Sequence, residues 1–370
     1  MILIGTDNGI YRWAEGSGWP VYHSLQDRSI AHLASPGGGV LIAVDTGGRV
    51  FESVNNGFDW RSIPLPAGAG RATALACRGE TMPRIVVAAR PLSIYSRAVG
   101  EPVPKARVDT GTGALSFVHR ARSIARGATA LIAPESRRRV ATDPKTVALA
   151  GWTQLPVPAI TSAPGGPAPE VRAFAIGTRE PSPWYAAVSG AGLWRSLDGG
   201  VGWERCPGLP PAEVFAIRVP DERPASVYAA SSDGCWYSTD AGLTWEDRSG
   251  GLEKARHVRA LAVKPGAPDV LLAGAAPQAA AESNAAPRDG LGFSLYESSN
   301  GGKTWSQVKR GGPEVFEYDV IADIRHDPVA PENAIVALSS GELWATRNGG
   351  FFWTPLARQI HAARTLCPMA

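Results

Sequence analysis

Cysteine, lysine and long apolar runs are all scarce in this 370-residue chain, and the first and last of these scarcities each close off a class of protein. Cys77, Cys206, Cys235 and Cys367 stand far apart, with no Cys-x-x-Cys and no Cys/His cluster, so neither a disulfide framework nor a zinc site is expected. They read as small core residues kept in a reducing compartment. No apolar stretch reaches the roughly 18 residues of a membrane-spanning helix, and any membrane contact is expected to be peripheral or through a partner. Residues 1–9 run straight into a strand pattern without a basic region or cleavage site, which predicts a cytoplasmic location. Charged residues make up only 19%, and helical periodicity is nearly missing. Of 37 basic residues only six are lysine, so 31 are arginine.

What the chain has in abundance is glycine (42), proline (31) and a repeated phrase. The phrase occurs five times: Ser53 to Trp60, Ser196 to Trp203, Ser238 to Trp245, Ser298 to Trp305 and Thr346 to Trp353. An aromatic position leads in (Phe51, Trp194, Trp236, Tyr296, Trp344) and a Ser or Thr follows two residues later. An Asp or Asn then takes hydrogen bonds from the turn's own backbone, glycine supplies positive φ, and the next strand opens on Trp. Such a unit buries its faces only against copies of itself, which points to a tandem-repeat fold.

The phrase resembles the Asp box, Ser-x-Asp-x-Gly-x-Thr-Trp, of sialidases, sortilin-type receptors, xyloglucan-cleaving glycosidases and the photosystem II assembly and stability factor. The match is most specific at 238–245 and 298–305. The resemblance, to the Asp-box (BNR repeat) β-propeller superfamily, implies a propeller whose boxes lie on the outside of the blades between third and fourth strands, as structure and not as active site.

A second repeat gives the blade count. A short apolar strand carries alanine at one position: Ala31, Ala74, Ala130, Ala173, Ala216, Ala260, Ala322 and Ala362. These read as innermost strands, where only a small side chain fits near the axis. Each is followed by an apolar-Ala-small strand, the aromatic strand and the Trp strand. The pattern predicts an all-β chain, residues 1–370 forming one propeller of four-stranded antiparallel blades. Eight blades are favoured and seven are the alternative, which holds if the degenerate third and fourth copies (Leu92 to Arg97 and Thr146 to Trp152) form one blade with a long insertion. The first copy lacks its inner strand, which residues 359–368 are expected to supply, joining both chain ends in one sheet and leaving no free edge.

Chemistry is harder to find. The sialidase resemblance demands three arginines on a carboxylate, a Tyr/Glu nucleophile pair and an acid/base aspartate. The chain has no Arg-Ile-Pro tripeptide, and the neighbours Glu317 and Tyr318 would point to opposite faces of a strand. A glycosidase needs two carboxylates roughly 6.5–9.5 Å apart for inversion. Asp323 is the one acid directly after an inner-strand alanine, and its simplest role is an ion pair with Arg325 or a neighbouring blade. His32, His257 and His361 fall on or beside inner strands at unequal offsets, so no metal site is expected, and no cofactor. Arg172 and Arg259, each just before its alanine, either line the channel and attract an anion or pair with Glu170 and Glu253 at the surface.

Residues 81–150 hold twelve basic and four acidic residues, a surplus of eight in a chain of net charge +3. That sector, with Arg120, Arg122, Arg126, Arg137, Arg138 and Arg139, is the candidate docking surface for an acidic protein face or an anionic membrane surface. Its few aromatics, Tyr95 and Phe117, argue against nucleic acid. The sequence therefore reads as a non-catalytic interaction propeller, a scaffold or an accessory or assembly subunit of a larger complex, with a membrane-bound, photosynthetic complex among the partners that the resemblance implies. A small-molecule substrate is not expected. The alternative is a glycan-active hydrolase or lectin.

Overall fold

The computed structural model describes residues 1–14, 19–78, 83–100, 151–157, 160, 168–177, 182–277, 292–311, 319–357 and 360–369. Every regular element among them is a β-strand, and the strands form seven four-stranded antiparallel sheets. Each sheet is one blade, and we number them by inner strand: II (Ile30–Gly37), III (Arg71–Arg78), IV (Val171–Ile176), V (Val214–Arg218), VI (His257–Lys264) and VII (Ile321–His326), with blade I built on Ala363–Pro368. Every inner strand contacts the next, and that of VII contacts that of I, so the seven form a closed ring.

The closure expected of the C-terminus is present. Ala363–Pro368 pairs antiparallel with Ile2–Thr6 in the register Ile2 to Pro368, Ile4 to Leu366, Gly5 to Thr365. The count corrects the eight-blade expectation to seven. Arg71–Arg78, Arg84–Arg90 and Ser93–Ala98 are completed as a blade by Thr153–Leu155, which pairs with Ile94, Tyr95 and Ser96. The third and fourth copies are thus one blade interrupted by an insertion. Trp152 stands where the other blades place their phrase Trp, buried, with its Nε1–H donating to the Pro64 carbonyl of blade II at 3.0 Å. Ala130, the extra inner-strand match, lies outside the described residues.

Apolar packing runs between blades and not within them, because each sheet has two faces and a neighbour on both. Seven buried clusters occupy the seven interfaces; that between II and III, for example, joins Ile42, Val44 and Ile63 to Ile85, Val87 and Trp152. The hairpin tips close the outer edges. At Ser238 the hydroxyl donates to Asp240 Oδ1 (2.7 Å) and accepts the Gly242 N–H (2.8 Å), while Asp240 accepts the N–H groups of Leu243 and Thr244. Gly242, at φ +85°, makes that turn possible. The tip at Ser196 repeats the network with Asp198, and those at Ser53, Ser298 and Thr346 with Asn55, Asn300 and Asn348. All five lie between third and fourth strands, and the Asp or Asn side chain of each is spent on its own turn.

One feature of the ring escaped the sequence. Every inner strand carries a β-bulge at the same level: the register skips one residue between Ile30 and His32, Ala72 and Ala74, Val171 and Ala173, Val214 and Ala216, Val258 and Ala260, Ile321 and Asp323, and opposite Gly5/Thr6 between Ala363 and Thr365. A bulge leaves its extra residue unpaired and re-aims the side chain. The bulged residues are Ala31, Thr73, Arg172, Phe215, Arg259, Ala322 and Arg364.

Candidate functional site

The bulges decide what faces the axis. A cavity of about 210 Å³ sits among the inner strands, lined by Arg172, Arg218, Arg259, Arg325 and Arg364, with Asp323 as the one acidic residue among the described residues that line it. Three of the five arginines, Arg172, Arg259 and Arg364, are bulged residues, of blades IV, VI and I. Arg218 and Arg325 lie two residues beyond the paired position after the bulge, where blades II, III, IV and VI carry Ala34, Ala76, Ala175 and Ala262. Small neighbours leave the long side chains room to reach into the centre.

The deeper pair is neutralised in part. Asp323 accepts the Arg325 Nε–H at 3.2 Å, lies 3.8 Å from Arg218 Nη2, and accepts backbone N–H groups from Ile324 and, across the blade boundary, Leu366, both at 2.9 Å. Asp323 is therefore the ion-paired carboxylate that its position suggested. Burial and the neighbouring Arg325 guanidinium push the Arg218 pKa down to about 9 despite Asp323. Because a guanidinium keeps its proton, that pressure is a cost of holding the charge there.

The bulge tier is less compensated. Arg172 reaches Glu213 at 3.5 Å, but Glu213 also accepts from the Ser189 hydroxyl and the Gly190 N–H. Arg259 stacks loosely over Phe215, 5.9 Å from the ring centroid, and Arg364 is exposed; neither has an ion-pair partner among the described residues. Burial, and secondarily Arg172, lowers the Arg259 pKa. Of the two roles open to Arg172 and Arg259, lining the channel is the one they take: Glu170 pairs with Arg71 and Arg90, and Glu253 accepts the Gly251 N–H.

The histidines do not converge. His32 lines the cavity and donates from Nε2 to the Thr73 carbonyl (3.0 Å); burial lowers its pKa. His257 is wedged between Phe215 and Phe293, and His361 lies at the surface beside Asn8 and Asp7. Among the described residues no group of three or more His, Cys, Asp or Glu side chains is placed to hold a metal ion. The four cysteines are all free, three of them buried.

Arg120, Arg122, Arg126, Arg137, Arg138 and Arg139, the sequence-based docking candidates, lie outside the described residues, as do Glu317 and Tyr318. Part of the basic surplus of 81–150 is nevertheless structural: Arg97 is buried, Arg84 donates to the Ser96 hydroxyl and Arg90 pairs with Glu170. Sequence reasoning missed Arg218 and Arg364, since nothing in an isolated arginine marks it as axial without the bulge register. Among the described residues no helix is long and apolar enough to cross a membrane.

No family model and no curated protein matches the chain. Solved structures do. An ancestral GH74 enzyme aligns with 96% of the chain at 14% identity and a TM-score of 0.59. The GH74 enzyme of Niastella koreensis aligns with 94% at 12% identity and 0.62. This chain spans 40% and 50% of the length of those two enzymes. YCF48 bound to D1 peptide aligns with 93% of the chain and 86% of its own length, at 12% identity and a TM-score of 0.56. At such identities the likeness is one of fold: a seven-bladed β-propeller.

Proposed function

We propose that this chain is a non-catalytic interaction propeller, a scaffold or accessory subunit that docks an acidic surface of a protein partner on the basic mouth of its axis. One observation carries the reading: among the described residues the axial cavity presents five guanidiniums and a single carboxylate, and that carboxylate is already held by two of the five and by two backbone N–H groups. Glycoside hydrolysis asks for two carboxyl groups facing across a cleft, one of them free to carry a proton. Among the described residues Asp323 has no second carboxylate in the cavity lining, and it is committed as an acceptor. An excess of guanidiniums suits recognition of carboxylates, because the planar fork binds them bidentately. That a propeller of similar fold is known with a bound peptide, YCF48 with D1 peptide, supports a protein partner. The photosystem-factor resemblance of the hairpin phrase extends the proposal to a membrane-bound complex approached from the cytoplasmic side, with the arginines at 120, 122, 126 and 137–139 as a second contact.

Affinity purification from the native source tests this. A partner recovered with the wild-type chain is expected to be lost with Arg172→Glu plus Arg364→Glu, and weakened by charge reversal at Arg137, Arg138 and Arg139. A partner retained by the axial variant overturns axial docking. The hydrolase alternative is tested with chromogenic glycosides: turnover that Asp323→Asn abolishes would replace the scaffold reading.

A further inference from the structure

We infer that the bulge tier of the axial cavity is a binding site for a free, compact, multiply charged oxyanion of the inorganic phosphate class. The inference rests on the axial geometry used for the docking proposal but requires no protein partner. It starts from an imbalance. Arg259 and Arg364 enter the cavity without an ion-pair partner among the described residues, and Arg172 shares its distant carboxylate, Glu213, with two other donors. Like charges gathered in a partly desolvated space repel one another more strongly than in water, and a bound anion relieves that repulsion.

Three features select the class of ion. The guanidiniums come from three different blades, so a ligand that engages them together must offer several acceptor oxygens in different directions; a spherical halide offers one centre. The cavity, at about 210 Å³, has the volume of roughly seven waters. That is room for a phosphate with part of its hydration shell and too little for a folded chain or a nucleic-acid duplex. The position of the arginines is also not incidental to building a blade. The same bulged position is filled by alanine in blades II and VII, threonine in III and phenylalanine in V, so the architecture tolerates small or neutral residues there. Arginine in IV, VI and I costs repulsion that the fold does not require.

The test is calorimetric titration of the full chain with inorganic phosphate at low ionic strength, with sodium chloride of matched ionic strength as the control. Saturable binding of one phosphate per chain is expected, weakened at least about tenfold by Arg259→Gln and by Arg364→Gln, since loss of one charge-assisted contact is worth that factor or more. Arg12→Gln, an exposed arginine away from the axis, is expected to leave it unchanged. Should Arg259→Gln unfold the chain, the exposed Arg364 carries the test alone. Absence of saturable binding, equal binding by Arg364→Gln, or equal effect of chloride overturns the inference. Docking stands or falls separately, on whether a captured partner is released by the axial variant in phosphate-free buffer.

Discussion

Arg218 of blade V and Arg325 of blade VII converge on one carboxylate, that of Asp323, across the inner strand of blade VI. Ala262 of the intervening strand is small and buried, which leaves space for the crossing. The three charges form a unit in which the anion is outnumbered. Removing Asp323 therefore exposes two cations to each other in a poorly solvated place, and breaking a buried pair from one side typically costs about 3–5 kcal/mol. Asp323→Asn is expected to lose stability within that range, since the Ile324 and Leu366 N–H groups are taken by different carboxylate oxygens and the single oxygen of an amide accepts only one of them. Adding Arg218→Met should restore much of the loss. Urea unfolding of the two single variants and the double variant measures the coupling; additive effects would show that Arg218 and Asp323 act independently.

Acid should weaken the ring through a second residue, on the other side of the bulge. His257 packs between Phe215 and Phe293 at centroid distances of 4.8 and 5.9 Å, and its Nδ1 has no hydrogen-bond partner among the described residues. Burial, with Arg259 adding repulsion, holds its pKa at about 4 in the fold. An unfolded histidine titrates near 6.5. Between those values the unfolded chain binds a proton that the folded chain refuses, so stability falls as pH drops from 6.5 towards 4. The loss from this group is up to about 2 kcal/mol once partial contact with water is allowed for. Burial lowers the pKa of His32 and His326 as well, and both act in the same direction. Thermal midpoints measured at pH 7 and pH 4.5 should differ less for His257→Phe than for the wild type.

The hairpin tips are predicted to matter for stability and not for binding. Ser238 is buried, and its hydroxyl oxygen takes the Gly242 N–H while its hydrogen goes to Asp240. Ser238→Ala leaves that backbone donor without an acceptor inside the blade, at a cost of about 1–3 kcal/mol. A lowered unfolding midpoint with undiminished phosphate binding is the expected pair of results. Loss of binding at wild-type stability would mean that the tips belong to a site.

Much of this fold was legible because its signals are redundant. Five tip phrases and a recurrent apolar strand specify four-stranded blades, and the early end of the first blade specifies the closure by Ala363–Pro368. The blade count failed at a place where redundancy ran out: Thr153–Leu155, just after Trp152, closes the blade that Arg71–Arg78 began by pairing with Ser93–Ala98, and sequence distance hid the pairing. The axial site failed for a sharper reason. Alanine marks the paired position after the bulge at Ala74, Ala173, Ala216 and Ala260, but Ala31 and Ala322 are themselves bulged, and Ala362 lies three residues before the matching Thr365. A slip of one residue changes which side chain meets the axis. In the true frame, His32 and Asp323 occupy a position that is alanine in four other blades, and both are polar groups lining the cavity.

The closing strand offers the most demanding test of the ring. Residues 363–368 supply the inner edge of blade I, pair with Ile2–Thr6 along its length, and contribute Leu366 to the interface with blade VII and Cys367 to that with blade II. Truncation after residue 362 removes both contacts, unpairs the Ile2–Thr6 edge and deletes Arg364 from the cavity. An unpaired apolar edge of this kind recruits other chains. The truncated chain is expected to run as soluble aggregates on size exclusion and to lose cooperative unfolding, whereas Arg364→Gln in the full chain should remain monodisperse with a wild-type midpoint or a slightly raised one, because it removes only a charge. If truncation leaves a monodisperse, cooperatively folding chain, the ring does not depend on its closing strand.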